Sequence, residues 1–152
     1  MTSAPTLTGQ DVGEAEGALN ALLERILAGT NTGLSRTEYI VLRVLAVRGP
    51  AESPAALCDY LAEQPQLGLN RPSAAALLDD LETRGLITGG SSGGPGATQL
   101  TPAGAGINTS LAEAVRTVIM RLYADLDQGD LETAHRVLAD VTERARRLRQ
   151  EL

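Results

Sequence analysis

The 152-residue chain has no tryptophan, no phenylalanine and no lysine. With Tyr39, Tyr60 and Tyr123 as its only aromatic side chains, its core has to be built from Leu, Val, Ile and Ala. Every basic residue is arginine; together with the excess of Ala and Gly, this reads as the coding bias of a GC-rich genome. A single cysteine, Cys58, excludes an intramolecular disulfide framework and suits a reducing compartment. The single histidine, His135, has no second His or Cys near it, so no metal-ligand spacing exists. No apolar run approaches the length of a membrane span, and the opening MTSAPTLTGQ lacks the basic-then-apolar order of a signal peptide. A cytoplasmic protein without a membrane partner is expected. The net charge of −6 provides no overall attraction for nucleic acid, so any such binding would need local positive potential. No phosphate-binding loop and no nucleophile–base pair at motif spacing occur, so neither an enzyme nor a cofactor is expected.

What is present is concentrated in residues 70–104, NRPSAAALLDDLETRGLITGGSSGGPGATQLTPAG. Leu77, Leu78 and Leu81 form a helical apolar stripe, and Gly85 stands where a left-handed cap would end that helix. Leu86 to Thr88 and Thr98 to Leu100 can pair across GGSSGGPGA, which is too rich in Gly and Pro to be anything but a loop. Thr101-Pro102 then opens another helix, with Thr as cap and Pro at its first position. Helix, hairpin and helix in this order form the core of a winged helix.

Upstream, residues 1–10 read as a loosely attached arm. From Asp11 a helix carries Val12, Ala15, Leu19, Leu22, Leu23, Ile26 and Leu27 until GTNTG breaks it. Ser35 and Glu38 form a capping box for a helix with Tyr39, Leu42, Val44 and Leu45, ended by Gly49-Pro50. Ser53-Pro54 starts a short helix through Leu57, Leu61 and Ala62, after which EQPQLGLN turns into the helix of the motif. Downstream, one helix runs from Pro102 to about Leu126, and DQGD interrupts it. The last helix places Leu131, Ala134, Leu138, Val141, Ala145, Leu148 and Leu152 at heptad a and d spacing. One short domain has nowhere to bury three long apolar helical faces, which predicts a homodimer through the terminal helices; the alternative is a last helix folded back on its own chain.

LLDDLETRGLI, followed about a dozen residues later by LTPAG, resembles the signature of the MarR family of bacterial transcriptional regulators. The order of the flanking helices extends the resemblance to roughly Val12–Leu152. It implies a mainly α fold with a small β-hairpin: a winged helix-turn-helix (34–104) within a single domain (11–152), flanked by dimerisation helices (11–29 and 102–152). The implied function is a dimeric, ligand-responsive regulator of transcription, most simply a repressor, that binds double-stranded DNA.

In helix-turn-helix proteins the second helix enters the major groove by its N-terminal part. Here that part offers Asn70, Arg71, Ser73, Ala75 and Ala76. Arg71 suits guanine O6 and N7, Asn70 adenine or phosphate, Ser73 either, and the alanines thymine methyls. The simpler reading makes Asn70 and Arg71 cap and solvate a surface helix. In the wing the family carries Asp-x-Arg; Ser92 and Gly94 stand there, leaving Ser92 as a supporting contact. Between Arg48 and Gly104, Arg48, Arg71 and Arg84 face Glu52, Asp59, Glu63, Asp79, Asp80 and Glu82, so this region is net negative. That favours the alternative function of a winged-helix dimer without ordinary DNA reading, acting as a protein-interaction or small-molecule module. The resemblance also implies an effector site, for which Tyr39, Arg43 and Arg116 are the candidates, with a tyrosine packed in the core as the plainer assignment. Cys58 reads as a packing residue, His135 as a surface residue, and RARRLR (144–149) as a complement to its helix dipole.

Overall fold

The computed structural model describes residues 3–90 and 96–152. Its helices begin where short polar side chains satisfy first-turn amides. Thr8 and Asp11 form a reciprocal capping box that opens α1 (Gly9–Ala28), so this helix starts ahead of Asp11. Ser35 and Glu38 do the same for α2 (Arg36–Arg48), and Gly49, at φ 82°, ends it. Ser53 caps α3 (Pro54–Ala62), with Pro54 at its first position. A 3-10 turn at Pro65–Leu67, unforeseen from the sequence, precedes α4 (Arg71–Thr83). Asp127 caps the last helix, α6 (Gln128–Glu151).

The end of α4 fixes the wing. Gly85 takes φ 74°; its amide bonds to Glu82 O and that of Leu86 to Leu81 O, the paired bonds of a Schellman stop. Strand β1 (Ile87–Thr88) then pairs antiparallel with β2 (Gln99–Leu100), Ile87 opposite Leu100 and Thr88 opposite Gln99. Thr98 makes a further antiparallel bridge to Ala51, closed by amide–carbonyl bonds of 2.9 and 3.0 Å. Fully buried Thr98 also donates its hydroxyl to Gly89 O. Thr101 joins the hairpin to α5 (Pro102–Tyr123) by donating its hydroxyl to Gly85 O (2.7 Å) and accepting from the Gly104 amide (3.0 Å). Gly104 lies so close to β1 that an added Cβ would stand 2.0 Å from Leu86 O. That contact explains why glycine closes the LTPAG motif.

The chain divides into two compact units, the first reaching Val115 and the second Arg116–Leu152. The first holds a core that includes Leu27, Val41, Leu42, Leu45, Leu57, Leu61, Ala74, Leu78, Leu81, Ile87 and Leu111. Tyr39 is the one aromatic ring among the buried residues, so aliphatic packing carries the interior as composition requires. The second unit contains the end of α5 and all of α6, in which no residue is buried. On α6, Leu138, Val141 and Leu148 are 41–55% exposed and form the a/d stripe expected from the sequence. The helix from Pro102 stops at Tyr123, short of Leu126. Among the described residues no helix is long and apolar enough to cross a membrane.

Candidate nucleic-acid interface

Helix α4 is two-faced. Ala74, Leu78 and Leu81 lie one helical turn apart on a fully buried face, while Arg71, Pro72, Ser73 and Ala76 are exposed in the first turns. Ala75 is half-buried against the core, which leaves Ala76 as the more open of the two alanines. Asn70 is the N-cap: its Oδ1 accepts from the Ser73 amide at 2.8 Å. In return the Ser73 hydroxyl accepts from the Asn70 amide (3.0 Å) and donates to the Asn70 carbonyl (3.1 Å). Both side chains are thus occupied in starting the helix, which for Asn70 is the capping role of the simpler sequence reading. Pro72 has no amide proton and that of Ser73 is held by Asn70 Oδ1, so the Arg71 amide is the first-turn donor left for a neutral phosphate contact.

The arginines of this region all have neighbours. Arg71, the first residue of α4, brings Nε within 2.7 Å of Asp59 Oδ1 on α3, with both side chains at least half exposed. The Arg48 guanidinium sits 4.2 Å from the centre of the Tyr60 ring, a cation–π contact. Arg84 bonds Glu38 Oε2 at 2.6 Å, donates to Thr32 O at 3.2 Å and lies 3.7 Å from Asp80. It therefore ties the end of α4 to the start of α2. Apart from Arg84 with Asp80, four residues apart on α4, residue spacing carries no sign of these pairings, because their partners lie far along the chain or on another helix. Asp79 and Asp80, exposed on α4, add negative charge beside the candidate surface.

The remaining candidates are dispersed. Ser92 lies outside the described residues. Tyr39 is only 5% exposed and belongs to the core. Burial pushes its phenol above the usual tyrosine range, against the opposing influence of the Arg43 guanidinium. Arg43 itself is exposed on α2, and Arg116 is exposed on α5 in the second unit. Cys58 is a free, buried thiol; burial first, then Asp59, raises it above its ordinary value, the opposite of a reactive thiolate. His135 is exposed on α6, and among the described residues no group of His, Cys, Asp and Glu could hold a metal ion.

Neither a protein-family model nor a curated protein matches the sequence. Solved structures do match it over nearly their whole length. A cysteine-to-serine mutant of MarR from Escherichia coli superposes with a TM-score of 0.68 at 17% identity, covering 92% of this chain and 99% of that one. A MarR family transcriptional regulator from Silicibacter pomeroyi gives 0.68 at 21% identity, covering 90% and 91%. A MarR family protein of Mycobacterium tuberculosis in complex with salicylic acid gives 0.62 at 22% identity, covering 91% and 99%. Helix order, wing and terminal helices agree with this likeness: the chain has the winged-helix fold of the MarR-family structures.

Proposed function

We propose that this chain is a MarR-like transcriptional regulator, a cytoplasmic homodimer that binds duplex DNA through the N-terminal turn of α4 and responds to a small molecule. The observation that carries this reading is the exposed start of α4, with Arg71 at its first position, on a MarR-type winged helix. Arg71 is assigned to a guanine edge. Asn70 and Ser73 set the helix start, so that the Arg71 amide approaches the DNA backbone; Ala76, with half-buried Ala75 beside it, contributes apolar surface, and the wing around Ser92 supports. Dimerisation is supported by the exposed a/d stripe of α6. Repression is the simplest consequence of occupying a promoter. Effector response is supported by the salicylic acid complex of the Mycobacterium tuberculosis protein. An anionic effector would pair with exposed arginines such as Arg43 or Arg116, and Tyr39 would act through the core rather than by contact.

A second reading is favoured by the engagement of Arg48, Arg71 and Arg84 with protein partners. It is a winged-helix dimer that has lost ordinary DNA reading and serves as a protein-interaction or small-molecule module. Salt dependence separates the two. Each phosphate contact contributes about −0.9 to the slope of log K against log salt, so a regulator with so few arginines in its reading region shows a shallow slope but still selects a sequence. Anisotropy titration against DNA enriched from a random duplex pool tests this. Arg71→Ala lowers specific affinity by roughly 1–3 kcal/mol if the reading holds. Absence of any enriched sequence, even at low salt, leaves the second reading.

A further inference from the structure

We infer that Asp59 is a positioning residue for sequence reading: it holds the Arg71 guanidinium in the orientation that meets a guanine edge. This rests on the DNA-binding reading above and deepens it. Arg71 projects from the first turn of α4 with its side chain 67% exposed, so packing does little to choose its rotamer. What restrains it is the Asp59 carboxylate, 2.7 Å from Nε. The carboxylate is itself well mounted, because its neighbours Leu57, Cys58 and Leu61 anchor α3 in the same core as Ala74 and Leu78 of α4.

The chemistry of the contact decides its direction. Guanine is read by a pair of parallel donors directed at O6 and N7, and the two terminal Nη groups of arginine supply that pair. A carboxylate against Nε, the nitrogen nearest the chain, fixes the fork from behind and reduces the rotamer freedom lost on binding. The same carboxylate repels phosphate, so Asp59 weakens sequence-independent binding while sharpening the choice of base. Arg48, on the Tyr60 ring, and Arg84, bonded to Glu38 and Thr32, have no comparable arrangement.

The test is selection from a random duplex pool with the full chain, comparing wild type, Asp59→Asn, Arg71→Ala and the double variant. Asp59 is half exposed, and asparagine keeps its shape, so folding is retained. The wild type enriches a site containing a guanine whose replacement weakens binding. Asp59→Asn reduces discrimination at that base about twofold, the scale of one exposed ion pair, while binding to scrambled DNA becomes tighter. In the Arg71→Ala background, Asp59→Asn leaves base discrimination unchanged. Full guanine preference in Asp59→Asn overturns the positioning role alone. A wild type that enriches no sequence overturns the DNA-binding reading, and this inference with it.

Discussion

Two glycines on α5, Gly104 and Gly106, should respond to the same substitution in opposite directions. At Gly106 nothing lies within 4 Å of an added Cβ, so Gly106→Ala exchanges a poor helix former for a good one and gains about 0.5–1 kcal/mol. At Gly104 the new carbon would sit 2.0 Å from Leu86 O and 2.9 Å from Leu86 C, both backbone atoms that cannot rotate away. A relaxed carbon–oxygen contact needs about 3.3 Å, so α5 must retreat from β1 by more than ~1 Å. Overpacking of that kind costs about 1–3 kcal/mol. The retreat also stretches the bonds from Thr101 N to Leu86 O and from Thr101 Oγ1 to Gly85 O, each worth about 1 kcal/mol. Against the helix-propensity gain, the net loss is about 2–4 kcal/mol. For a chain of this size that lowers the melting temperature by roughly 5–15 °C. The assay is thermal unfolding by circular dichroism at one fixed protein concentration, with Gly106→Ala as control. Equal stability of the two variants would refute the close approach of α5 to the wing.

Leu138→Glu places a charge in the a/d stripe of α6, where burial of one leucine is worth about 1.5–3 kcal/mol and counts twice in a symmetric dimer. Sedimentation velocity should show a dimer for the wild type and a monomer for this variant. Glu38→Ala removes both the partner of Arg84 and half of the α2 capping box, and should cost roughly 1–3 kcal/mol in urea unfolding; Asp59→Asn, at an exposed pair, stays within about 0.5 kcal/mol. Because the folded protein raises the Cys58 thiol above its reference value of 9.0, the unfolded chain ionises first. Stability from this group is therefore complete below about pH 8 and declines as pH rises past about 9. Cys58→Ala should flatten that alkaline part of the stability profile, and alkylation of the native wild-type thiol should be slow.

Much of the fold was legible because its signals are local. Ser35 and Glu38 satisfy each other's amides three residues apart, Thr101-Pro102 carries its own start signal, and Gly85 supplies the positive φ that a Schellman stop requires. Such features act within one helical turn, so spacing alone reveals them. The bridge from Ala51 to Thr98 and the bond from Arg84 to Glu38 join segments more than 40 residues apart, where no periodicity connects the partners. Gly104 was visible as a motif residue, but its reason, the Leu86 carbonyl just ahead of β1, exists only once the chain is folded. The candidate interface was legible in the same partial way. The exposed start of α4 followed from its apolar stripe, whereas the pairing of Arg71 with Asp59 depends on the angle at which α3 crosses α4. Tyr39 shows the limit most plainly: its position on α2 was clear, and its burial among aliphatic side chains was only one of two open assignments.

The three tyrosines also make the protein its own spectroscopic map. With no tryptophan to accept their excitation, each ring emits for itself. Tyr39 reports from the aliphatic interior, Tyr60 from beneath the Arg48 guanidinium on α3, and Tyr123 from the exposed end of α5 in the second unit. Replacing any two by phenylalanine leaves a single emitter. Core unfolding, movement in the helix-turn-helix and changes around the end of α5 can then be followed one at a time without an added dye.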